Sequence, residues 1–298
     1  MDNITVNVML FCNRYLYQTC IIKIVFTSSF TSNIEISFKM KNKRIGIVYF
    51  AYINHKKNWK KIIHSQLADI NRSGVLDDAS LYIEVSDTED SSEVKDFFKN
   101  LDIPHEHIEF HNENAYEYYG IHKVWELALN NSHELLVYLH TKGMSYRQKF
   151  SFMGLKSGRS PREIVLTYLT FKNYKNTLKL FGDNSKLMKI GAFPKREYEP
   201  NDKKGCFMWF NFFWIRASYV RELSEPIKTD DRFYYEYWCT KNEGETGDAY
   251  KELTFSLYKN DHTGFSISEA SDTLRDLNRI YRNLWPFSAL YVRHKIHS

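Results

Sequence analysis

At 298 residues the chain can bury a large core as one big domain or two small ones, and its 16% share of aromatic side chains excludes a disordered polymer. Its 41 basic and 36 acidic side chains leave a formal charge of +5, enough to receive an anion but too little to indicate nucleic acid. No RNP, zinc-finger or helix-turn-helix signature accompanies that charge.

The four cysteines at 12, 20, 206 and 239 show no C-x-x-C spacing, so they read as free thiols of a reducing compartment. No stretch reaches the roughly 18 uninterrupted apolar residues of a spanning helix. The most apolar early region, 6–26, is broken by Asn13, Arg14, Gln18 and Lys23 and lacks the layout of a secretory signal. A soluble, cytoplasmic protein is the expectation.

Residues 1–39 have no clear period and read as an extension, with alternating stretches that suit one or two edge strands. A basic cluster, Met40-Lys41-Asn42-Lys43-Arg44, then introduces a buried run at 45–52, so the main domain is taken as 40–298. Trp59, Ile62, Ile63, Leu67 and Ile70 fall at helical spacing, and Ser73-Gly74 ends that helix. Residues 79–85 read as a second strand and 86–100 as a helix with early acids and late lysines. After Pro104 come a short strand at 107–111, an amphipathic helix at 119–130 and a strand at 135–139. Strands and helices alternating at this pace predict an α/β fold, a mostly parallel sheet flanked by helices.

Beyond Gly143 the periodicity predicts a long helix over 162–180, with Ser160-Pro161 at its start, and a strand at 189–193. An aromatic strand pair, or a strand and a turn, follows at 205–215, then helices at 217–223 and 231–239 separated by Pro226, and a closing helix and strand over 274–298.

The run Leu135 to Leu139 followed by His140-Thr141-Lys142-Gly143 is a buried strand ending abruptly in a cationic turn. Open α/β sheets bind ligands at such strand ends, and a lysine there is a fixed positive charge suited to phosphate. Two aromatic segments lie downstream: Trp209-Phe210-Asn211-Phe212-Phe213-Trp214, and Asp231-Arg232-Phe233-Tyr234-Tyr235-Glu236-Tyr237-Trp238. In an extended run Trp209, Asn211 and Phe213 would face one way and Phe210, Phe212 and Trp214 the other. Asn211 is the informative member, because an amide among rings can hold sugar hydroxyls. For most of the rings core packing is the better reading.

These three segments, in this order, resemble a group of predicted glycosyltransferases found in viral and bacterial surface-glycan gene sets. In that group a strand ends in H-[ST]-K-G, followed by a G-N-F-W-W-like aromatic strand and an R-[YF]-x-x-E-x-W helix. The resemblance spans about Arg44 to Lys259, although the group more often has Gly before the Asn. It implies a GT-A-like, Rossmann-like single domain that moves a sugar from a nucleotide-diphosphate donor to a hydroxyl of a glycan or glycoprotein. Most GT-A enzymes hold the diphosphate through a metal on Asp-x-Asp, and this chain has no two aspartates so spaced. His140 and Lys142 stand at the corresponding strand end, so no obligatory metal is expected, with Mn²⁺ or Mg²⁺ as an option.

By the same likeness Glu236 would be the general base, with Asp231 and Asp230 in reserve; an ion pair of Glu236 with Arg232 at i, i+4 is the competing role, and helix capping that of the aspartates. Tyr52 and Asp87, with Glu84 and Ser86, would lie beside the nucleotide. Asn112, Asn114 and residues 119–123 would approach the donor. Trp209, Asn211 and Trp214 would face the acceptor. His105, His107 and His111 lack the spacing of a zinc helix and read as solvent-side. A non-catalytic nucleotide- or glycan-binding module of the same fold is the alternative. Phosphoryl transfer is disfavoured because no P-loop appears.

Overall fold

A computed structural model describes residues 5–12, 19–27, 33–39, 43–142, 144, 159–196, 207–231, 233–240 and 254–279. By its internal contacts the chain divides into two compact units, Met1–Lys43 and Arg44–Ser298. In the first, β1 (Thr5–Cys12), β2 (Thr19–Thr27) and β3 (Asn33–Lys39) form an antiparallel sheet in the order β1-β2-β3, with Cys12 opposite Cys20. Three strands thus replace the one or two expected.

In the second unit the strands are β4 (Ile45–Tyr52), β5 (Ala79–Ser86), β6 (His107–His111), β7 (Leu135–His140), β8 (Lys189–Gly191), β9 (Phe213–Arg216) and β10 (Thr254–Ser256). Their spatial order is β10-β8-β9-β7-β4-β5-β6. All of these pairings are parallel except those of β9, which runs against both β7 and β8. The α/β class expected from the sequence is the one observed.

Side-chain alternation on the central strands divides the core in two. Ile45, Ile47 and Tyr49 of β4 and Leu135, Val137 and Leu139 of β7 pack with α1 (Trp59–Arg72), α2 (Ser92–Lys99), α4 (Pro161–Phe171) and α5 (Tyr174–Asp183). Val48, Phe50, Leu136 and Tyr138 pack with α3 (Tyr118–Leu129), α6 (Ala217–Val220) and α7 (Tyr234–Tyr237). Helix α3 lies close to the sheet because Gly120 has no side chain. A Cβ there would meet Tyr138 Cε2 at 2.7 Å and Phe50 Cβ at 2.8 Å. Gly120→Val is therefore expected to destabilise the fold by about 1–3 kcal/mol through overpacking, read as a lower urea midpoint.

Two predicted helices end differently. The helix expected from 86 begins at Ser92, because Asp87 accepts hydrogen bonds from the backbone N–H groups of Glu89 and Ser91 (3.1 and 2.9 Å) and holds a turn there. Ser91 is the cap instead, its Oγ accepting from the Glu93 N–H at 3.2 Å. The helix expected over 162–180 is two helices, because Asn173 leaves helical geometry at φ −131° and ψ 39°. The Tyr174 hydroxyl then donates to the carbonyl of Gly74, a residue at φ 75° in the turn after α1. The helix expected over 231–239 contracts to α7, and the last described helical stretch is 267–279.

Chain order places the ligand end of the sheet. The chain runs from β4 to β5 to β6 and then returns to lay β7 on the other side of β4. Helices α1 and α2 cover one face and α3 the opposite one, so the winding reverses between β4 and β7. Open sheets of this kind have a crevice at the carboxyl ends of the two strands flanking such a reversal.

Candidate functional site

The carboxyl ends of β4 and β7 are tied to each other. The N–H of Thr141 donates to the Phe50 carbonyl at 3.0 Å, and the N–H of Tyr52 donates to Thr141 Oγ1 at 2.9 Å. Asn54 Nδ2 donates to the Met144 carbonyl at 2.8 Å. Below this junction Gln66 Nε2 donates to the carbonyl of His140 (3.3 Å) and to Thr167 Oγ1 (3.2 Å), while Gln66 Oε1 accepts from the Tyr49 hydroxyl at 3.0 Å. Thr167 in turn donates to Glu163, which is clamped by both arms of Arg159. A buried polar chain thus supports the backbone that presents His140 and Lys142.

The antiparallel strand β9 supplies the other wall. Phe213 pairs with Tyr138, so the residues preceding β9 lie beyond the end of β7. There the aromatic run is a turn rather than a continuous strand: the Asn211 N–H donates to the Met208 carbonyl at 3.1 Å, closing the turn before β9 begins. Phe210 and Asn211 both take left-handed backbone, at φ 72° and 58°. The ammonium of Lys142 lies 5.2 Å from the Phe210 ring centre, and His140 Nε2 donates to the Phe210 carbonyl at 3.3 Å. Burial and the neighbouring Lys142 charge press the His140 pKa down to about 3, so the imidazole is neutral at ordinary pH.

Glu117, absent from the sequence reading, completes the group. Its Oε2 accepts from the Tyr138 hydroxyl at 2.9 Å and from Asn211 Nδ2 at 2.5 Å, and its Oε1 lies 3.7 Å from His140 Nε2. Asn211 Nδ2 also donates to the Tyr235 carbonyl of α7 at 3.2 Å, which brings the helix carrying Glu236 against this turn. Burial raises the Glu117 pKa, opposed by the Lys142 charge and by the bonds from Asn211 and Tyr138. Glu117 occupies the cap position of α3 yet makes no capping bond. A carboxylate at the start of a helix that follows a strand, on the ligand edge of the sheet, was the available signal.

The other expected residues divide. Glu236 is half-buried on α7, and its expected partner Arg232 lies outside the described residues, as does Gly143. Asp231 is exposed and holds the turn before α7: its Oδ1 accepts from the Phe233 N–H at 2.9 Å and its Oδ2 from the Tyr237 hydroxyl at 2.7 Å. Asp230 is exposed beside it. Tyr52 is at the junction already described. Trp209 is half-buried, and its Nε1 donates to the Phe265 carbonyl at 2.9 Å.

Two expected ligand contacts are taken up within the protein. Trp214 is wholly buried with its Nε1 donating to the Thr170 carbonyl at 3.0 Å, so it is core and presents no face to an acceptor. Asp87 is 3% exposed, and besides its backbone bonds it is paired with His55 Nε2 at 2.8 Å. Burial opposes ionisation of Asp87, but the His55 and backbone bonds prevail and its pKa is lowered. Its carboxylate is therefore an internal brace.

His111 also departs from expectation. It is covered by Tyr119, the two rings stacked 3.5 Å apart, and its Nε2 pairs with the buried Glu84 at 2.7 Å. Glu84, Glu109 and His111 bring ligand atoms within 4.8 Å of one another, a grouping able to hold a cation. Lys123 Nζ already stands among these acids, 3.6 Å from Glu84 Oε1, 3.2 Å from Glu109 and 2.8 Å from Glu126. The ammonium supplies the positive charge there, and the cluster braces α3 against β5 and β6.

No known family's sequence model matches the chain, and no curated protein matches it. Among solved structures, one similar chain is 4-diphosphocytidyl-2C-methyl-D-erythritol synthase from Anaerococcus prevotii DSM 20548, at 10% identity and TM-score 0.35, covering 81% of this chain and 100% of that one. Another is the mannosyltransferase Ktr4p from S. cerevisiae, at 12% identity and TM-score 0.27, covering 66% of this chain and 62% of that one. At TM-scores this low neither likeness carries weight for activity or for a site residue; the sheet architecture stands on its own hydrogen-bond ladders. Among the described residues no helix is long and apolar enough to cross a membrane.

Proposed function

We propose that the chain is a glycosyltransferase of GT-A-like fold that moves a sugar from a nucleoside-diphosphate donor to a hydroxyl of a glycan or glycoprotein. The observation that carries this reading is the position of Lys142 at the end of β7, beside the winding reversal, with a neutral histidine behind it and a strained aromatic turn in front. A leaving diphosphate needs its charge stabilised where it develops, and a fixed ammonium in a partly water-excluded crevice does so without a metal. The half-buried Trp209 would form the acceptor side, while Asn211, expected there too, is 1% exposed and has its amide taken up by Glu117 and the Tyr235 carbonyl. The proton of the acceptor hydroxyl needs a carboxylate, and both Glu236 and Glu117 lie on segments that meet at Asn211.

The test is a thermal-shift panel of UDP, GDP, CMP and dTDP sugars, each with and without Mn²⁺. At least one donor is expected to raise the melting temperature without metal, and Lys142→Ala is expected to weaken that donor at least about tenfold, the scale of one charge-assisted contact. A response seen only with Mn²⁺ would replace the metal-free site with a metal-bound one. Binding with no nucleotide release under any pairing of donor and acceptor would leave a binding module in place of an enzyme.

A further inference from the structure

We propose, resting on the transferase reading above, that Glu117 is the catalytic base of this site, the group that takes the proton from the attacking hydroxyl. Its two oxygens are in different states. Oε2 is held by two donors, Tyr138 and Asn211, one from the end of β7 and one from the turn before β9. Oε1 lies 3.7 Å from His140 Nε2, beyond hydrogen-bonding distance, with the Lys142 charge also acting on the carboxylate. With 19% of the side chain still exposed, the carboxylate is anchored by Oε2 without being sealed from solvent.

The backbone around the pair supports a role beyond packing. Among the described residues six non-glycine positions have positive φ, and four of them are Asp or Asn, which tolerate it: Asp90, Asn131, Asn211 and Asn260. The two bulky ones are Tyr116 (φ 53°) and Phe210 (φ 72°), the immediate predecessors of Glu117 and Asn211. Left-handed backbone at large residues is costly and gathers at sites where a side chain must be aimed. Asn211 carries a further cost. Both of its Nδ2 partners are acceptors, which fixes the amide and leaves Oδ1 buried with no hydrogen-bond partner among the described residues. All of this expense converges on the orientation of one carboxylate.

The step balances simply. The acceptor O–H bond breaks with its proton passing to Glu117 Oε1, and the oxygen forms a bond to the anomeric carbon. The bond from that carbon to the diphosphate oxygen breaks, its electron pair leaving with the diphosphate beside Lys142. A carboxyl lifted by burial is a better proton acceptor at neutral pH than an exposed one. The groups facing it are Tyr138, His140 and Lys142 of β7 and its turn, and Asn211.

The experiment compares Glu117→Gln with Glu236→Gln, using whichever UDP, GDP or dTDP sugar most stabilises the wild type, with water or a supplied glycan as acceptor and nucleotide release as the readout. Glu117→Gln is expected to bind that donor within about threefold of wild type while kcat falls at least about a hundredfold. The acidic limb of the wild-type pH–rate profile, where the rate falls as the carboxylate is protonated, is expected to vanish with it. Glu117→Asp, which keeps the carboxylate but withdraws it by one methylene, is expected to retain the limb at reduced kcat, and an undiminished kcat in it overturns the assignment. So does a Glu117→Gln protein with kcat near wild type, or a large loss confined to Glu236→Gln. A wild type that binds donors yet never releases nucleotide under any pairing of donor and acceptor sinks the transferase reading and this assignment together; turnover in both wild type and Glu117→Gln sinks the assignment alone.

Discussion

Replacing Arg159 with methionine is expected to lower the unfolding free energy by about 3–5 kcal/mol, the usual consequence of leaving one member of a buried ion pair uncompensated. Glu163 is 0% exposed and Arg159 4%. The guanidinium grips both carboxylate oxygens of Glu163, at 2.6 and 2.7 Å, and its third nitrogen donates to the carbonyl and hydroxyl of Ser65 and to Asp69. Methionine fills much of the volume but offers none of these donors, so Glu163 must either stay ionised in the core or take up a proton. The double variant Arg159→Met with Glu163→Leu is expected to recover most of the loss, because it removes the stranded charge along with its partner. Urea unfolding decides the matter: a single-variant loss below about 1 kcal/mol would mean that the pair is solvated in practice.

Acidification is expected to weaken the fold through His140. An unfolded imidazole titrates near its ordinary value of 6.5, whereas the folded one is held down at about 3. Between these values the unfolded chain binds a proton that the folded chain refuses. The stabilisation is therefore complete above pH 6.5 and is lost as pH falls towards 3. At roughly 1.4 kcal/mol per pH unit, the loss from pH 6.5 to 4.5 comes to about 3 kcal/mol. Glu117 works in the opposite sense, since its raised pKa favours the folded state at low pH and costs stability as pH climbs through the folded value. The clean comparison is therefore between wild type and His140→Gln, which keeps a donor for the Phe210 carbonyl but does not titrate. The stability of the variant is expected to fall less steeply between pH 7 and 4.5; parallel slopes would show that the imidazole is protonated in the native state.

Much of the sheet was legible because buried parallel strands are written as apolar runs. Residues 45–52, 79–85 and 135–139 were placed within a residue or two, and so was the helix starting at Trp59. What failed had local causes that periodicity does not carry. Asp87 used its side chain to hold a turn where a helix pattern already seemed to run, and Asn173 broke a continuous apolar stripe. The aromatic segment 205–215 reads as strand and turn without fixing where the turn falls, and two left-handed residues, Phe210 and Asn211, put it directly before β9. Within the site, His140, Lys142 and Asn211 stood out from the sequence by their company, and the structure brings them together with α7. Glu117 did not stand out, because its significance lies in facing Asn211, 94 positions away, across the sheet. Trp214 and Asp87 were overvalued for the converse reason: each satisfies a partner inside the protein that no spacing rule reveals.

The reversed direction of β9 has a practical outcome for altering ligand preference. Residues that leave β7 and residues that enter β9 arrive at one crevice from opposite chain directions, and neither group takes part in the ladder joining Tyr138 to Phe213. Libraries that vary 142 together with 210, which touch, and leave the Thr141 tie to Tyr52 in place would therefore reshape both walls while every strand keeps its neighbour and its alignment.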